Sequence, residues 1–386
     1  MTSILVLRHT SLVLTIIAIL YAGFLLALTN EWIQRNALYA HKISTKWLPA
    51  HDLNSPERFG YSKNQVTPFY IETPDHESLY AWHILPLTLY SRNEATLITR
   101  PQGLASSFTQ TEAFRLLAND PEARLVINFH GNAGHVAQGW RTDNYRALST
   151  GASDKIHVLT ADYRGFGHSS GTPTEEGLVV DGVALVDWAL TVAKIPPHRI
   201  VLVGQSLGTA VATAVAESFI LRETPIEFAG LVLVAGFSDL PTLLLTYRIG
   251  GTLPILSPLR VNPRLQRWIT SFLKDKWITH ARLANIAKRS MGLRLYILHS
   301  TSDADIPWEH SNALFYAAAN ASTQNGLTRA QIDEARLHLD FEEAGWVNIW
   351  KAKNITVRQE VLLHGGHNRI ITYTPVALAV LRALDL

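Results

Sequence analysis

The chain reads as a doubly wound α/β domain with a mostly parallel sheet of about eight strands, preceded by one membrane-spanning helix. Three observations predict this. Short apolar, β-branched runs alternate with helical patterns from about residue 66 to the carboxyl end; a serine sits between glycines directly after one such run, in Gly204-x-Ser206-x-Gly208; and residues 11–29 carry no charge. Alternation of strand and helix implies parallel strands, because each helix carries the chain back across the sheet and the helices cover both faces.

Taken in order, the first element is "SLVLTIIAILYAGFLLALT", residues 11–29. At about 1.5 Å per residue, a helix over this run nearly spans a hydrocarbon core of about 30 Å. It is longer than the apolar part of a signal peptide, so it reads as an uncleaved anchor at 10–30, after a tail at 1–9 and before a juxtamembrane linker at 31–65. Its orientation stays open. Arg35, Lys42 and Lys46 outnumber Arg8 across the span, which favours a cytosolic domain, whereas the sequons Asn320-Ala-Ser322 and Asn354-Ile-Thr356 favour the lumen.

The domain at 66–386 follows. Its strands are expected at "PFYIET", "SLYAWHIL", "RLVINFH", "IHVLTAD", "RIVLVG", "GLVLVAG", "LRLYILH" and "VRQEVLL". A long helix is expected over "TPTEEGLVVDGVALVDWALTVA", with Thr172 and Glu175 as a capping box and Pro173 at the first helical position. Residues 237–290, rich in leucine, proline and tryptophan, are too long for a simple crossover and read as a helical cap over the carboxyl ends of the strands. The stretch 318–350, polar in its first half, reads as surface decoration.

Composition narrows the function. A net charge of +2 offers no strong basic field, so nucleic acid is not an expected partner. Without cysteine there are no disulfides, thiolate nucleophiles or cysteine-ligated zinc sites. Neither HExxH nor GxxxxGK[ST] occurs, and no metal or cofactor is expected. "ADYRGFGHSSG" at 161–171 offers Gly165-x-Gly167, but Gly171 comes one residue late for a dinucleotide fingerprint, so the stretch reads as a structural turn.

The pentapeptide around Ser206 has the form of a nucleophile elbow, in which glycines let the neighbouring backbone pass while the hydroxyl is lifted off the sheet. Three fixed positions recur by chance, and serine is also a good helix N-cap, so context decides. Two further residues follow strand ends in order: Asp303 in "HSTSDADIPW" and His367 in "HGGHN". Such residues converge on one crevice of a doubly wound sheet. A serine hydroxyl needs a base to take its proton, and the imidazole needs a carboxylate to hold its tautomer. Ser206, His367 and Asp303 would fill these roles. Asp-x-x-Ile-Pro fits Asp303 rather than Asp305 to the turn before the next helix. Gly365 and Gly366 make a turn able to present His367, whereas His364 ends the strand, and His299 reads as a strand-end residue with a structural hydrogen bond. The small-residue loop in "NFHGNAGH" can aim a backbone N–H at a developing oxyanion, together with the residue after the nucleophile; that pair would be Asn132 and Leu207.

"HGNAGH", "DYRGFGHSSGTPTEEG", "GQSLG", "HSTSDADIP" and "GHNRIITYTP", in that order behind an anchor, resemble the membrane-anchored monoacylglycerol and lysophosphatidylserine lipase branch of the α/β-hydrolase superfamily. The likeness covers residues from about 66 to the carboxyl end. It implies an α/β-hydrolase fold and a serine hydrolase cleaving single-chain acyl esters. Ser206, Asp303 and His367 would form the triad, Asn132 and Leu207 would be the oxyanion donors, and the catalytic domain would be lumenal, at an endomembrane such as the endoplasmic reticulum. Gln205 departs from the histidine common before the nucleophile in lipases, and the leucine- and proline-rich cap is not among the segments that carry the resemblance. The expected partners are a lipid acyl ester and the membrane, with no obligate protein partner. An acyl-protein or acyl-CoA thioesterase is the alternative within the same chemistry, and a catalytically silent membrane scaffold is the alternative outside it.

Overall fold

The computed structural model describes residues 2–42, 52–249 and 252–386. In chain order its strands are β1 (Val66–Glu72), β2 (Ser78–Ile84), β3 (Arg124–Phe129), β4 (Ile156–Ala161), β5 (Ile200–Gln205), β6 (Gly230–Val234), β7 (Arg248–Ile249), β8 (Leu253–Pro254), β9 (Arg294–Ser300), β10 (Leu337–Asp340), β11 (Gly345–Ala352) and β12 (Ile355–Leu362). Among the described residues, β7 and β8 pair with each other and the other ten form one sheet, ordered β1-β2-β4-β3-β5-β6-β9-β12-β11-β10. The run from β4 to β12 is parallel, and antiparallel strands close both edges.

The parallel strands alternate between two cores. Leu125, Ile127, Leu202, Leu231, Leu233, Leu295 and Ile297 face one cluster, while their chain neighbours Val126, Val201, Val203, Val232, Val234 and Leu298 face the other. Successive side chains of a strand point to opposite faces, so continuous apolar runs mean a sheet covered on both. Helices Glu175–Thr191, Leu207–Ile220, Thr279–Arg289 and Glu309–Ala321 supply residues such as Leu185, Val215, Ile286 and Phe315 to the first cluster. Helices Arg141–Ser149 and Thr374–Leu384 cover the second through Tyr145, Leu148, Val376 and Val380.

The eight expected strands correspond to β1–β6, β9 and β12, and two more, β10 and β11, extend the sheet. They lie within the stretch read as surface decoration. Strand β10 is the outermost strand; Leu337 and Leu339 alternate with His338 and Asp340, but the run is only four residues long and none of its side chains is buried, and its pairing with β11 places it in the sheet. A second correction concerns the long helix, which starts at Glu175, with the Thr174 hydroxyl accepting from the Gly177 N–H at 3.0 Å. Thr172 and Pro173 lie outside it. The stretch 237–290, expected to be a cap, divides into two parts. Helix Thr279–Arg289 packs on helices Leu207–Ile220 and Glu309–Ala321 as an ordinary layer of the domain. The inserted part comprises helix Leu240–Thr246, the β7–β8 hairpin, a 3₁₀ turn at Ser257–Val261 and helix Pro263–Ser271.

Helix Thr2–Ala27 contains the candidate membrane span, His9–Ala27, and Leu12, Leu14, Ile17, Ile19 and Leu20 stand exposed along it. An apolar surface this continuous is unfavourable in water and suited to lipid. Within the stretch expected to be a linker, residues 43–51 lie outside the described residues, while Glu31–Tyr39 forms a helix capped by Asn30.

Under the sheet edge, His83 Nε2 on β2 and His157 Nδ1 on β4 lie 3.0 Å apart, both fully buried. Burial pushes both pKa values down, His157 to about 3, so the pair folds neutral with a single shared hydrogen bond. The unfolded chain protonates these imidazoles near the ordinary 6.5. Their contribution is therefore complete above that pH and is lost as pH falls towards 3. A melting temperature followed from pH 7.5 downward should decline through the histidine range; a flat profile between 7 and 5 would refute burial of the neutral pair.

Candidate active site

Ser206 sits between the end of β5 and helix Leu207–Ile220 with φ 53° and ψ −121°, a conformation non-glycine residues avoid. Its N–H donates to the Val234 carbonyl of β6 at 3.0 Å, and its carbonyl accepts from the Thr209 N–H at 2.9 Å, so both neighbours hold the turn. A Cβ at position 204 would stand 2.2 Å from the Gly208 oxygen, and one at 208 would stand 1.9 Å from the Phe129 oxygen. Both flanking positions accept only glycine.

Asp303 follows β9, and His367 lies in the single turn Gly366–Arg369 after β12. Gly365 and Gly366, at φ 128° and 58°, make the bend that returns His367 over the sheet edge. His367 Nε2 lies 3.0 Å from Ser206 Oγ, and its Nδ1 lies 2.8 Å from Asp303 Oδ2. The carboxylate can only accept here, so Nδ1 carries the proton and Nε2 presents its lone pair to the serine hydroxyl. The other oxygen of Asp303 accepts from the N–H groups of Asp305 at 3.0 Å and Ile306 at 2.9 Å. Burial works to raise the Asp303 pKa, but hydrogen bonds from His299 and His367 outweigh it and hold the carboxyl well below the usual range. For His367, burial opposes the charged ring, yet the Asp303 hydrogen bond and the charges of Asp303 and Asp305 prevail and raise it above 6.5.

The competing residues take other positions. His364 is exposed just past β12. Asp305 turns its carboxylate into the crevice near Asp303 and His367 without bonding the imidazole, and it acts on it by charge alone. His299, fully buried, has Nε2 3.0 Å from the Ile306 oxygen and 3.2 Å from Asp303 Oδ2, so it braces both the turn and the carboxylate. The 161–171 stretch is a structural turn: Arg164 bonds Asp181 on one side and Asp75 on the other.

The loop after β3 passes directly beside the serine, with a Cβ at Gly131 placed 3.4 Å from Ser206 Cβ. Buried Arg141 donates to four of its carbonyls, those of Gly131, Asn132, Ala133 and His135, at 2.6–3.0 Å. With the carbonyls drawn to one guanidinium, Ala133 and Gly134 adopt left-handed φ values of 59° and 68°. Leu207 opens its helix, so its N–H is one of the first-turn donors with no intrahelical acceptor. Leu207 thus follows Ser206 in the chain, and Asn132 follows Gly131, the loop residue beside the serine.

Three contacts around this site were not read from the sequence. Arg141 lies in an ordinary-looking helix six residues past the loop. Gln205 Nε2 donates to the carbonyls of His367 at 3.2 Å and Asn368 at 3.4 Å, which ties the nucleophile turn to the histidine turn. Most distant, the Tyr39 carbonyl accepts from the Ala133 N–H at 2.9 Å, and the Leu38 carbonyl accepts from Asn132 Nδ2 at 3.3 Å. The Tyr39 hydroxyl, buried, donates to Asp275 at 2.7 Å and accepts from Trp277 Nε1 at 3.3 Å. No local pattern announces such contacts, because the partners are more than ninety residues apart.

Residues 124–304 match the sequence pattern of the family described as alpha/beta hydrolase fold, a span that includes Ser206 and Asp303 but stops short of His367. Human Protein ABHD12B is 34% identical over 51% of this chain and 50% of its own length. The rat protein named Lysophosphatidylserine lipase ABHD12 is 28% identical over 69% of this chain and 60% of its own. The chain thus spans about half to three fifths of the curated relatives it matches. Among solved structures, an alpha-beta hydrolase from Vibrio vulnificus superposes with a TM-score of 0.53 at 13% identity, covering 89% of this chain and 88% of that one. Together with the sheet order and the turn at Ser206, these matches identify the chain as an α/β-hydrolase-fold protein whose sequence is similar to that of the lysophosphatidylserine lipase branch.

Proposed function

We propose that the chain is a membrane-anchored serine hydrolase that cleaves single-chain acyl esters of lipids, a lysophospholipid or a monoacylglycerol, through an acyl-serine intermediate. The observation that carries this reading is the continuous hydrogen-bond chain from Ser206 Oγ through both ring nitrogens of His367 to Asp303. His367 Nε2 takes the hydroxyl proton as Ser206 Oγ attacks the ester carbonyl, and the N–H groups of Asn132 and Leu207 meet the negative oxygen that forms. The imidazolium then protonates the leaving alkoxide, leaving an acyl-serine. A water activated by the same imidazole attacks that ester; the fatty acid departs and Ser206 regains its proton. This sequence requires no metal, cofactor or protein partner. The name of the rat relative and the leucine-rich cap support a lipid acyl chain as substrate.

In the same reading, residues 10–30 are the single-pass anchor and 66–386 the hydrolase domain. The exposure of Asn320 at a helix end and of Asn354 in the β11–β12 turn supports a lumenal domain, at the endoplasmic reticulum or a related endomembrane, since both sequons present their acceptor to an oligosaccharide.

A tagged fluorophosphonate should label the wild-type protein at Ser206 and leave Ser206→Ala unlabelled, while ester turnover falls by a factor on the order of 10⁶. Labelling retained by the variant would remove Ser206 from the mechanism. Because His367 must be neutral to accept the proton, activity should rise with pH through a limb above 6.5. Asp303→Asn should move that limb down and lower kcat by roughly 10⁴, through loss of the correct tautomer; a limb that stays put would separate Asp303 from His367. The Tyr39 contacts also predict a split. Tyr39→Phe removes the hydroxyl that ties the loop's support to Asp275 and Trp277, and kcat should fall about tenfold with KM unchanged, a part of the 10²–10³ typical when an oxyanion donor is lost outright. An unchanged kcat would make Tyr39 a packing residue only.

A further inference from the structure

We propose that the outer face of the cap, at Val261, Trp268 and Phe272, lies in the membrane interface as a second lipid contact beside the anchor, and that it prefers an anionic surface. The inference rests on residues 10–30 spanning the bilayer and is independent of the catalytic reading.

Depth comes from the packing. The Tyr21 hydroxyl donates to the Ile255 carbonyl at 3.2 Å, and Leu25 is buried with Leu256, Leu259 and Ile269, with Tyr21, Leu28 and Leu265 at the margin of the same cluster. The candidate span ends at Ala27. Tyr21 lies six residues before that end, which is about 9 Å along the helix axis. The cap therefore grips the anchor on the stretch that belongs to the edge of the hydrocarbon layer. Upstream, Ile16, Ile17, Ile19 and Leu20 remain bare, so lipid must cover the helix directly below the contact. A second tether fixes the same end: Gln34 Nε2 donates to the carbonyls of Leu28 at 2.8 Å and Phe272 at 2.9 Å, and Gln34 Oε1 accepts from the Lys274 N–H at 3.2 Å. The cap cannot leave the interface while these contacts hold.

The chemistry of the surface agrees with that position. Residues 255–274, "ILSPLRVNPRLQRWITSFLK", contain Arg260, Arg264, Arg267 and Lys274 and no acidic residue. Helix Pro263–Ser271 turns Leu265 and Ile269 towards the anchor cluster and leaves Trp268 47% exposed. Phe272, 39% exposed, packs edge-on against Trp268 at 5.1 Å, and Val261 is 90% exposed. An aromatic pair with arginines around it, continuous with a membrane helix, is the composition of an interfacial surface, where indole rings settle at headgroup level and basic side chains meet anionic lipid.

The absence of cysteine makes the test direct. Val261→Cys and Trp268→Cys would each be labelled with an environment-sensitive fluorophore in the full-length protein. Ile16→Cys marks the middle of the span, and Met291→Cys, 78% exposed just before the amino end of β9, marks a position remote from the cap. The labelled proteins are reconstituted into phosphatidylcholine vesicles with or without phosphatidylserine and exposed to lipids carrying a quencher near the headgroup or deep in the chain. The shallow quencher should act on positions 261 and 268, the deep quencher on position 16, and neither on 291. Adding Arg264→Glu and Arg267→Glu should reduce shallow quenching in the phosphatidylserine vesicles at low salt and change little in pure phosphatidylcholine. Positions 261 and 268 as unquenched as 291, beside a quenched position 16, would overturn the proposal. A water-exposed position 16 would remove the anchor reading and the interface with it, and leave the serine hydrolase reading untouched. Equal quenching in both lipids would overturn the anionic preference.

Discussion

The positive φ of Ser206 is the constraint on which the site depends. A serine in this conformation is held only if the groups on each side leave no alternative, and here the β6 backbone, the first turn of helix Leu207–Ile220 and the end of β3 all press on it. Gly204 and Gly208 are the consequence. They have no side chain because the backbone of the neighbouring elements occupies the space a Cβ would need. The same close approach that costs two side chains brings the β3 loop against the serine, so the strained turn and the loop at Gly131 form a single packed object.

Around that object, polar side chains do what secondary structure cannot. The loop from His130 to Gly134 has no ladder of its own, and its carbonyls converge on Arg141 from within while Leu38 and Tyr39 hold its amide groups from outside. Gln205 links the nucleophile turn to the histidine turn. Asp303 receives its hydrogen bonds from its own turn, from His299 and from His367, so the carboxylate is satisfied on both oxygens and the imidazole has a fixed orientation. Ser206, Asp303 and His367 come from turns and loops, but each is anchored to a strand end or a buried charge.

The amino-terminal segment joins this network. Helix Glu31–Tyr39 touches the β3 loop through its last carbonyls and the cap through Gln34 and the Tyr39 hydroxyl. The cap in turn packs on the end of the long apolar helix. The candidate membrane span and the geometry beside Ser206 are therefore mechanically connected, by a path of a few hydrogen bonds and one apolar cluster.

Local chemistry was enough for much of this protein. The apolar runs of the eight strands announce a sheet buried on both faces, because a residue covered on either side needs no polar alternation. The uncharged stretch at 11–29 announces a helix long and apolar enough to cross a membrane. Glycine spacing at 204–208 and 365–366 announces turns that other residues would not tolerate, and chain order suggested which aspartate and histidine accompany the serine. Tertiary structure decided the rest, where the deciding energy is non-local. Strand β10, four residues long and with no buried side chain, is placed by its pairing with β11. The helix cap moved to Thr174, whose hydroxyl accepts from the Gly177 N–H, although Thr172 and Pro173 carry an equally good pattern. Helix Thr279–Arg289, within the stretch expected to be a cap, packs into the domain because neighbouring helices supply its apolar partners. Arg141, Gln205 and Tyr39 carry no signal at all, since a hydrogen bond to a backbone carbonyl leaves no residue-type signature at the acceptor and its position is known only once the chain has folded.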